Sequence, residues 1–166
     1  MSAAALLGAA LVLAAAVAPA GETAAALDRV GTLRVGQVFA ELAPRARWDY
    51  ERGEAGVDCD YVHAGQLPKD VAMMVLDGRI ARFEVTEIGP VGPFGIRIGD
   101  SEASASARLP AGASVEPHHY GGTDAHYLTW RDPQRGLAVR YETGEGTVRT
   151  MYWGSWDAVQ LVEGCS

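Results

Sequence analysis

Apolar and polar residues alternate along several short stretches of this chain, and this alternation predicts antiparallel β-strands. The clearest stretches are 80–85 and 148–153, where a period of two places alternate side chains on opposite faces. In the first we expect Ala81, Phe83 and Val85 to face the core. In the second, Met151 and Trp153 share one face, and Trp153 is the best core candidate. Further strands are predicted at 59–62, 71–75, 125–128 and 137–141, and a last one over 157–165.

Glycine-containing turns and two short helices separate these strands. Asp77-Gly78 lies between apolar runs, which is a strong hairpin signal, and residues 143–146 predict a second turn. Residues 37–42 place Val38 and Leu42 on one helical face, and Pro44 should end this helix. A second helix is predicted over 103–108, capped by Asp100 or Ser101 and ended by Pro110.

The same short pattern occurs twice. LRVG at 33–36 recurs as IRIG at 96–99, and each is followed by a helix-compatible stretch and then strands. We therefore predict an α+β fold of two tandem units, each a short helix plus an antiparallel β-meander, packed as one compact body. The predicted organisation is a signal peptide at 1–20, unit 1 at 21–88, a Pro/Gly linker at 89–95 and unit 2 at 96–166.

The first 20 residues predict export. They carry no charged side chain, their apolar run is too short to span a bilayer, and they end in Ala18-Pro19-Ala20, a small-x-small cleavage pattern. We expect the mature chain to be periplasmic or extracellular, with no membrane span after cleavage.

Two cysteines, Cys59 and Cys165, remain in the chain. In an oxidising compartment two cysteines most often pair, so a disulfide between them is predicted, with two unpaired thiols as the alternative.

The charge balance excludes some classes of partner. The formal net charge is −7 and there is no Lys/Arg-rich stretch, which argues against nucleic acid and anionic membrane surfaces. No Gly-rich phosphate loop and no Gly-x-Ser-x-Gly elbow are present in the sequence. We predict no cofactor and no catalytic residue.

Aromatic residues are the best candidates for partner binding. Residues 151–156 read MYWGSW, and tyrosine and tryptophan dominate interface hot spots. We predict a partner-binding patch on a sheet face, with buried packing of the same rings as the alternative. The candidate residues are Tyr152, Trp156, Tyr120 and Trp130.

A histidine-rich loop suggests a second kind of site. His118, His119 and His126 fall within nine residues, with Asp124 between them, and imidazole and carboxylate are ligands that Zn²⁺ accepts. The spacing matches no known signature, so solvated loop histidines are the simpler interpretation.

The duplicated strand, glycine, short helix and meander resemble the tandem units of β-lactamase inhibitory proteins. They are also similar to the single-unit envelope lipoproteins of the SmpA/OmlA type. The matching residues are LRVG at 33–36 and IRIGDS at 96–101. Further stretches resemble exported bacterial proteins of no assigned function: 73–79, 117–120 and 162–165. The resemblance to the inhibitory proteins implies steric binding, with aromatic anchors in a groove of the partner.

These observations favour a secreted, non-catalytic binding or inhibitor-like protein that engages a protein or envelope component through a sheet face. One alternative is an envelope structural accessory protein. Another is a metal-binding protein or enzyme centred on His118, His119 and His126.

Overall fold

The structure is a computed structural model, and it describes residues 25–42, 49–52, 58–63 and 67–165. The predicted signal peptide lies outside the described residues. The strands of the described ranges are β1 (Arg29–Val30), β2 (Leu33–Arg34), β3 (Asp49–Arg52), β4 (Cys59–His63), β5 (Ala72–Leu76), β6 (Arg79–Val85), β7 (Ser114–Pro117), β8 (His126–Asp132), β9 (Leu137–Gly144) and β10 (Thr147–Ser155). The α-helices are α1 (Glu102–Arg108) and α2 (Trp156–Val159), and short 3-10 helices span Phe39–Glu41 and Pro93–Gly95.

One large antiparallel sheet organises the molecule. Its eight strands follow the order β3-β4-β5-β6-β10-β9-β8-β7, and β1 and β2 form a separate two-stranded hairpin. The pairing of β6 with β10 joins the strands that precede the Pro/Gly stretch at 89–95 to those that follow it. The turns at 77–78 and 145–146 lie where the sequence predicts them, between β5 and β6 and between β9 and β10.

The predicted α+β class of two tandem helix-plus-meander units is wrong. The described chain is predominantly β, because α1 has only seven residues and α2 only four. The helix predicted over 37–42 is a three-residue 3-10 helix. Val38 at its N-cap offers no side-chain acceptor, whereas Ser101 and Ser155 cap α1 and α2. The unit boundaries at 21–88, 89–95 and 96–166 stay a prediction.

The two similar tetrapeptides make a similar contact. The amide of Gly36 donates to the carbonyl of Ile80 at 2.7 Å, and the amide of Gly99 donates to the carbonyl of Val148 at 2.9 Å. The structure that follows the two tetrapeptides differs, because a 3-10 helix follows Gly36 and an α-helix follows Gly99.

One face of the sheet forms the main core. Phe83, Met151 and Trp153 lie in it, and the β1–β2 hairpin, Ile96 and α1 cover it through Leu33 and Ala105 among others. Trp153 is only 1 % exposed, which confirms it as a core residue.

The predicted core face of β6 is partly wrong. Phe83 and Val85 face the main core, but Ala81 packs in a cluster on the other face with Met74 and Cys59. Ile80 takes the core position instead, because the pairing of β5 with β6 shifts between Met74 and Val75. The extra residue of such a bulge reverses the alternation of side chains.

The C-terminal segment covers the other face of the sheet. The strand predicted over 157–165 is wrong: residues 156–159 form α2 and the residues that follow are turns. The Ser155 side chain accepts a hydrogen bond from the amide of Ala158 and so caps α2, which favours a helix over a strand at this point. Ala158 and Val159 are buried against the sheet.

The predicted disulfide is confirmed. Cys59 in β4 and Cys165 are bonded across a sequence separation of 106 residues. The bond fixes the C-terminal segment on the sheet, and it agrees with an oxidising compartment. Within the described ranges, neither helix has the length and apolar character that crossing a bilayer requires.

Candidate functional site

The four aromatic residues predicted to bind a partner do not form one patch. Tyr152 is 2 % exposed, and Trp130 packs edge-on against Phe94 on the main core face. Trp156 is half-buried, with the Arg131 guanidinium 4.4 Å from its ring centroid. Only Tyr120 is freely accessible, at 64 % exposure. Tyr152 is buried because α2 folds back over its face of the sheet, which the alternation along β10 does not reveal.

Tyr152 belongs to a buried polar network centred on Arg82. The guanidinium of Arg82 lies 4.4 Å from the Tyr152 ring centroid and pairs with Glu84 at 2.7 Å. Its Nη1 donates to the carbonyl oxygens of Ala158 and Leu161, at 3.0 and 2.8 Å. Arg82 therefore holds the C-terminal segment on the sheet, which is a structural task.

Tyr61 completes this network. Its hydroxyl donates to Oε2 of Glu84 at 3.0 Å and accepts a hydrogen bond from Nη2 of Arg82 at 2.7 Å. Burial raises the pKa of the Tyr61 phenol to about 12, so the hydroxyl stays neutral and carries no nucleophilic charge at physiological pH.

The histidines proposed as metal ligands have different partners. The His118 ring stacks on Tyr127, and its Nε2 lies 3.6 Å from a Glu142 oxygen. The His126 Nδ1 lies 3.0 Å from Oε2 of Glu102. In the part of the chain that the structure describes, no group of three or more His, Cys, Asp or Glu side chains could hold a metal ion. Neither His119 nor Asp124 is brought into such a group.

The Glu102 carboxylate is the centre of a small cluster. The Thr143 hydroxyl donates to Oε2 of Glu102 at 2.5 Å and accepts from the His126 amide at 3.1 Å. The hydrogen bond from Thr143, followed by the bond and charge of His126, lowers the pKa of Glu102. The Thr143 hydroxyl bonds the carboxylate and not the imidazole, so the cluster lacks the nucleophile-to-base contact that covalent catalysis uses.

A large apolar recess, which we call the N-terminal pocket, lies between three chain segments. Its volume is about 790 Å³, within the range typical of small-molecule sites. The three segments are residues 25–31, 68–71 and 89–91. The amide of Ala25 donates to the carbonyl of Val91 at 3.1 Å and so joins the first segment to the third. The lining residues are Ala25, Ala26, Arg29, Val30, Gly31, Pro68, Lys69, Asp70, Val71, Gly89, Pro90, Val91 and Trp153.

The inner part of the pocket is apolar and its rim is charged. Val30, Val71 and Trp153 line the pocket as part of the main core cluster, and they are only 7 %, 4 % and 1 % exposed. The apolar lining residues that remain accessible include Ala25, Ala26, Pro90 and Val91. Lys69 is the only lysine of the chain, and its side chain is 92 % exposed. Its Nζ is 4.0 Å from the Asp70 carboxylate, too far for a hydrogen bond.

A second recess of about 330 Å³ lies beside Tyr61 and is acidic. Glu84 lines it, but this carboxylate is already paired with Arg82 and Tyr61. The recess is less than half the volume of the N-terminal pocket.

Sequence reasoning missed the N-terminal pocket. Its walls come from residues near 25, 70 and 90, which have no common periodicity or motif. One feature of the sequence could have pointed to this region. Lys69 is the single lysine among the basic residues of the chain, and it directly follows Pro68; a second proline-containing segment lies at residue 90.

Comparisons with known proteins indicate the fold alone. No protein-family model matches the chain, and no curated protein matches it. Among solved structures, the chain is similar to the uncharacterized protein yfeY from Escherichia coli, with a TM-score of 0.50 and 15 % identity over 80 % of this chain and 99 % of that one. At this identity the similarity shows a shared fold and carries no function; the resemblance to β-lactamase inhibitory proteins and SmpA/OmlA lipoproteins has no matching family model.

Proposed function

We propose that this chain is an exported, non-catalytic binding protein that holds an apolar molecule in the N-terminal pocket. The observation that carries the proposal is the pocket itself, about 790 Å³ in volume and lined by Val30, Val71, Val91 and Trp153. Burying apolar surface of a ligand against such side chains contributes about 25 cal/mol for each Å² removed from water.

The other clusters support a binding role over a catalytic one. The two cysteines are joined in a disulfide, and the Glu102 cluster serves to hold α1 against β8 and β9 through His126 and Thr143. Export is supported by the predicted signal peptide and by the disulfide.

A cavity-filling variant tests the proposal. Val91 is a half-buried wall residue, and Val91→Trp should occupy part of the pocket. Titration with the neutral fluorophore N-phenyl-1-naphthylamine should show saturable, one-to-one binding to the native protein and at least tenfold weaker binding to the variant.

Val115→Trp is the matched control, because Val115 is exposed on β7 and does not line the pocket. It should bind the fluorophore as the native protein does. Absence of saturable binding to the native protein, or equal loss in both variants, would refute a ligand site in this pocket.

Binding of a protein or envelope component through the sheet face is a second proposal, supported by one exposed position. Tyr120 stands free of the core, and its hydroxyl contacts the Glu163 carboxylate, which places it next to the C-terminal segment near the partly exposed Leu161. We propose that Tyr120 anchors this contact.

Affinity capture from cell-envelope extract separates this second proposal from the first. Tyr120→Ser should lose at least one captured protein that Val115→Ser retains, while fluorophore binding in the N-terminal pocket stays unchanged. Identical capture by both variants would remove Tyr120 as an anchor.

A further inference from the structure

We infer that the ligand of the N-terminal pocket is an amphiphile with one aliphatic chain and an anionic head group. This inference rests on the proposed function: it names the chemical class of the ligand for that site. The chain would lie against the partly exposed Ala25, Pro90 and Val91. The head group would lie at Lys69 and Arg29.

The interior of the pocket matches an aliphatic chain. The accessible lining away from the charged rim is apolar, and it includes Ala25, Ala26, Pro90 and Val91. The buried Val30, Val71 and Trp153 lie among the lining residues. A polar ligand body would lose its hydration there without gaining hydrogen-bond partners, which disfavours its binding.

The rim of the pocket matches an anion. Two cationic side chains, Arg29 and Lys69, line it against one carboxylate, Asp70, although the whole chain carries a formal net charge of −7. Arg29 bonds Asp28 through Nε at 3.2 Å, yet its side chain remains 44 % exposed. A solvent-exposed pair such as Lys69 and Asp70 is weak, so Lys69 can turn to an incoming anion at little cost.

An exposed apolar side chain adjoins the rim. Ile88 is 80 % exposed and directly precedes Gly89, which lines the pocket as part of the 89–91 segment. The backbone beside it is held in place, since the Arg97 guanidinium donates to the carbonyl of Gly89 at 2.8 Å. An aliphatic chain that contacts Ile88 would begin to leave water at the rim of the pocket.

Chain-matched ligands test the inference on the full mature protein. Dodecanoate, dodecyl phosphate, dodecanol and dodecylamine share one tail and differ in head-group charge, and calorimetry below their micellar concentrations gives each affinity. Native mass spectrometry counts the molecules bound. We expect one molecule per chain, with both anions bound about two- to fivefold more tightly than dodecanol, and dodecylamine bound most weakly. The order of the two anions distinguishes a carboxylate from a phosphate source.

Substitutions at the rim assign the preference to named residues. Lys69→Met should abolish most of the advantage of dodecanoate over dodecanol, and Lys69→Glu should reverse the order of dodecanoate and dodecylamine. Arg149→Met is the control, because Arg149 is an exposed cation that does not line the pocket. Its ligand order should match that of the native protein.

The outcomes separate the inference from the proposed function. If all four ligands bind the native protein equally, or if Lys69→Glu keeps the native order, the anionic head group is refuted while the apolar pocket stands. If none of the four binds and N-phenyl-1-naphthylamine also fails, the proposed function itself is refuted.

Discussion

At the scale of single residues, the Thr143 hydroxyl stabilises the charged Glu102 carboxylate by donating a hydrogen bond to it. Glu102 begins α1, and its carboxylate accepts hydrogen bonds from Thr143 in β9 and from His126 in β8. A carboxylate in the first turn of a helix is also favoured by the helix dipole. The cluster therefore attaches α1 to two strands of the sheet.

Thr143→Val should destabilise the folded state by about 1–3 kcal/mol at pH 7, because the partly buried Glu102 carboxylate keeps only His126 as a donor and the His126 amide loses its side-chain acceptor. Since Thr143 lowers the pKa of Glu102, its contribution is present above the unfolded-state value of about 4.3 and is lost as the pH falls through the lower folded-state value. Urea unfolding at pH 7 and pH 3 should show the difference between variant and native protein narrowing at pH 3.

The control for this prediction is the Glu102→Gln background, which has no carboxylate to titrate. There, Thr143→Val should cost the same at both pH values. A cost in the native background that does not change between pH 7 and pH 3 would show that Thr143 acts on the His126 amide alone.

At the scale of elements, the junction between β6 and β10 depends on a glycine. Gly154 pairs with Arg82, and a Cβ added at Gly154 would lie 2.2 Å from the carbonyl oxygen of Ala81 and 2.6 Å from the Cα of Arg82. Both are backbone atoms in the centre of the sheet, so they cannot move without displacing a strand. A side chain at this position would also disturb Arg82, which holds the C-terminal segment.

Gly154→Ala should lower the free energy of unfolding by about 1–3 kcal/mol through overpacking. Gly144→Ala is the matched control: Gly144 ends β9, and an added Cβ there would meet only the Arg149 side chain, at 3.7 Å. It should change stability by less than about 0.5 kcal/mol. Chemical denaturation of both variants tests this difference. Equal changes in the free energy of unfolding would show that the close approach of β6 does not prevent a side chain at position 154.

At the scale of the whole molecule, the disulfide connects distant parts of the chain. It joins β4 near one edge of the sheet to Cys165, after a segment that packs across the centre. Arg82 supplies a second attachment of that segment, through the carbonyl oxygens of Ala158 and Leu161. The disulfide and the buried Arg82 side chain thus hold the same C-terminal segment, residues 156–165, on the sheet.

Replacing both cysteines by alanine should destabilise the protein by up to about 4–5 kcal/mol, because a closed loop of this length strongly restricts the unfolded chain. Hydrogen exchange should also show the amides of α2 exchanging faster than those of β9 and β10. Thermal unfolding of the native protein with and without reductant provides the control. A double variant as stable as the native protein would contradict the entropic role of the bond.

Several local features followed from the sequence by itself. The alternation of apolar and polar residues predicted strands at 80–85 and 148–153, because the two faces of a strand meet different environments. The Asp77-Gly78 turn, the core position of Trp153 and the Cys59–Cys165 pairing were also predicted, since each depends on local chemistry or on a small number of possible pairs.

Only the tertiary structure decided what the strands and loops bring together. The bulge that exchanges Ile80 for Ala81 depends on the pairing with β5, and the burial of Tyr152 depends on α2 folding over it. The N-terminal pocket likewise requires segments near residues 25, 70 and 90 to meet at Trp153. Contacts between residues so far apart in the chain leave no periodic pattern in it, because their geometry is set by sheet pairing and not by local backbone preference.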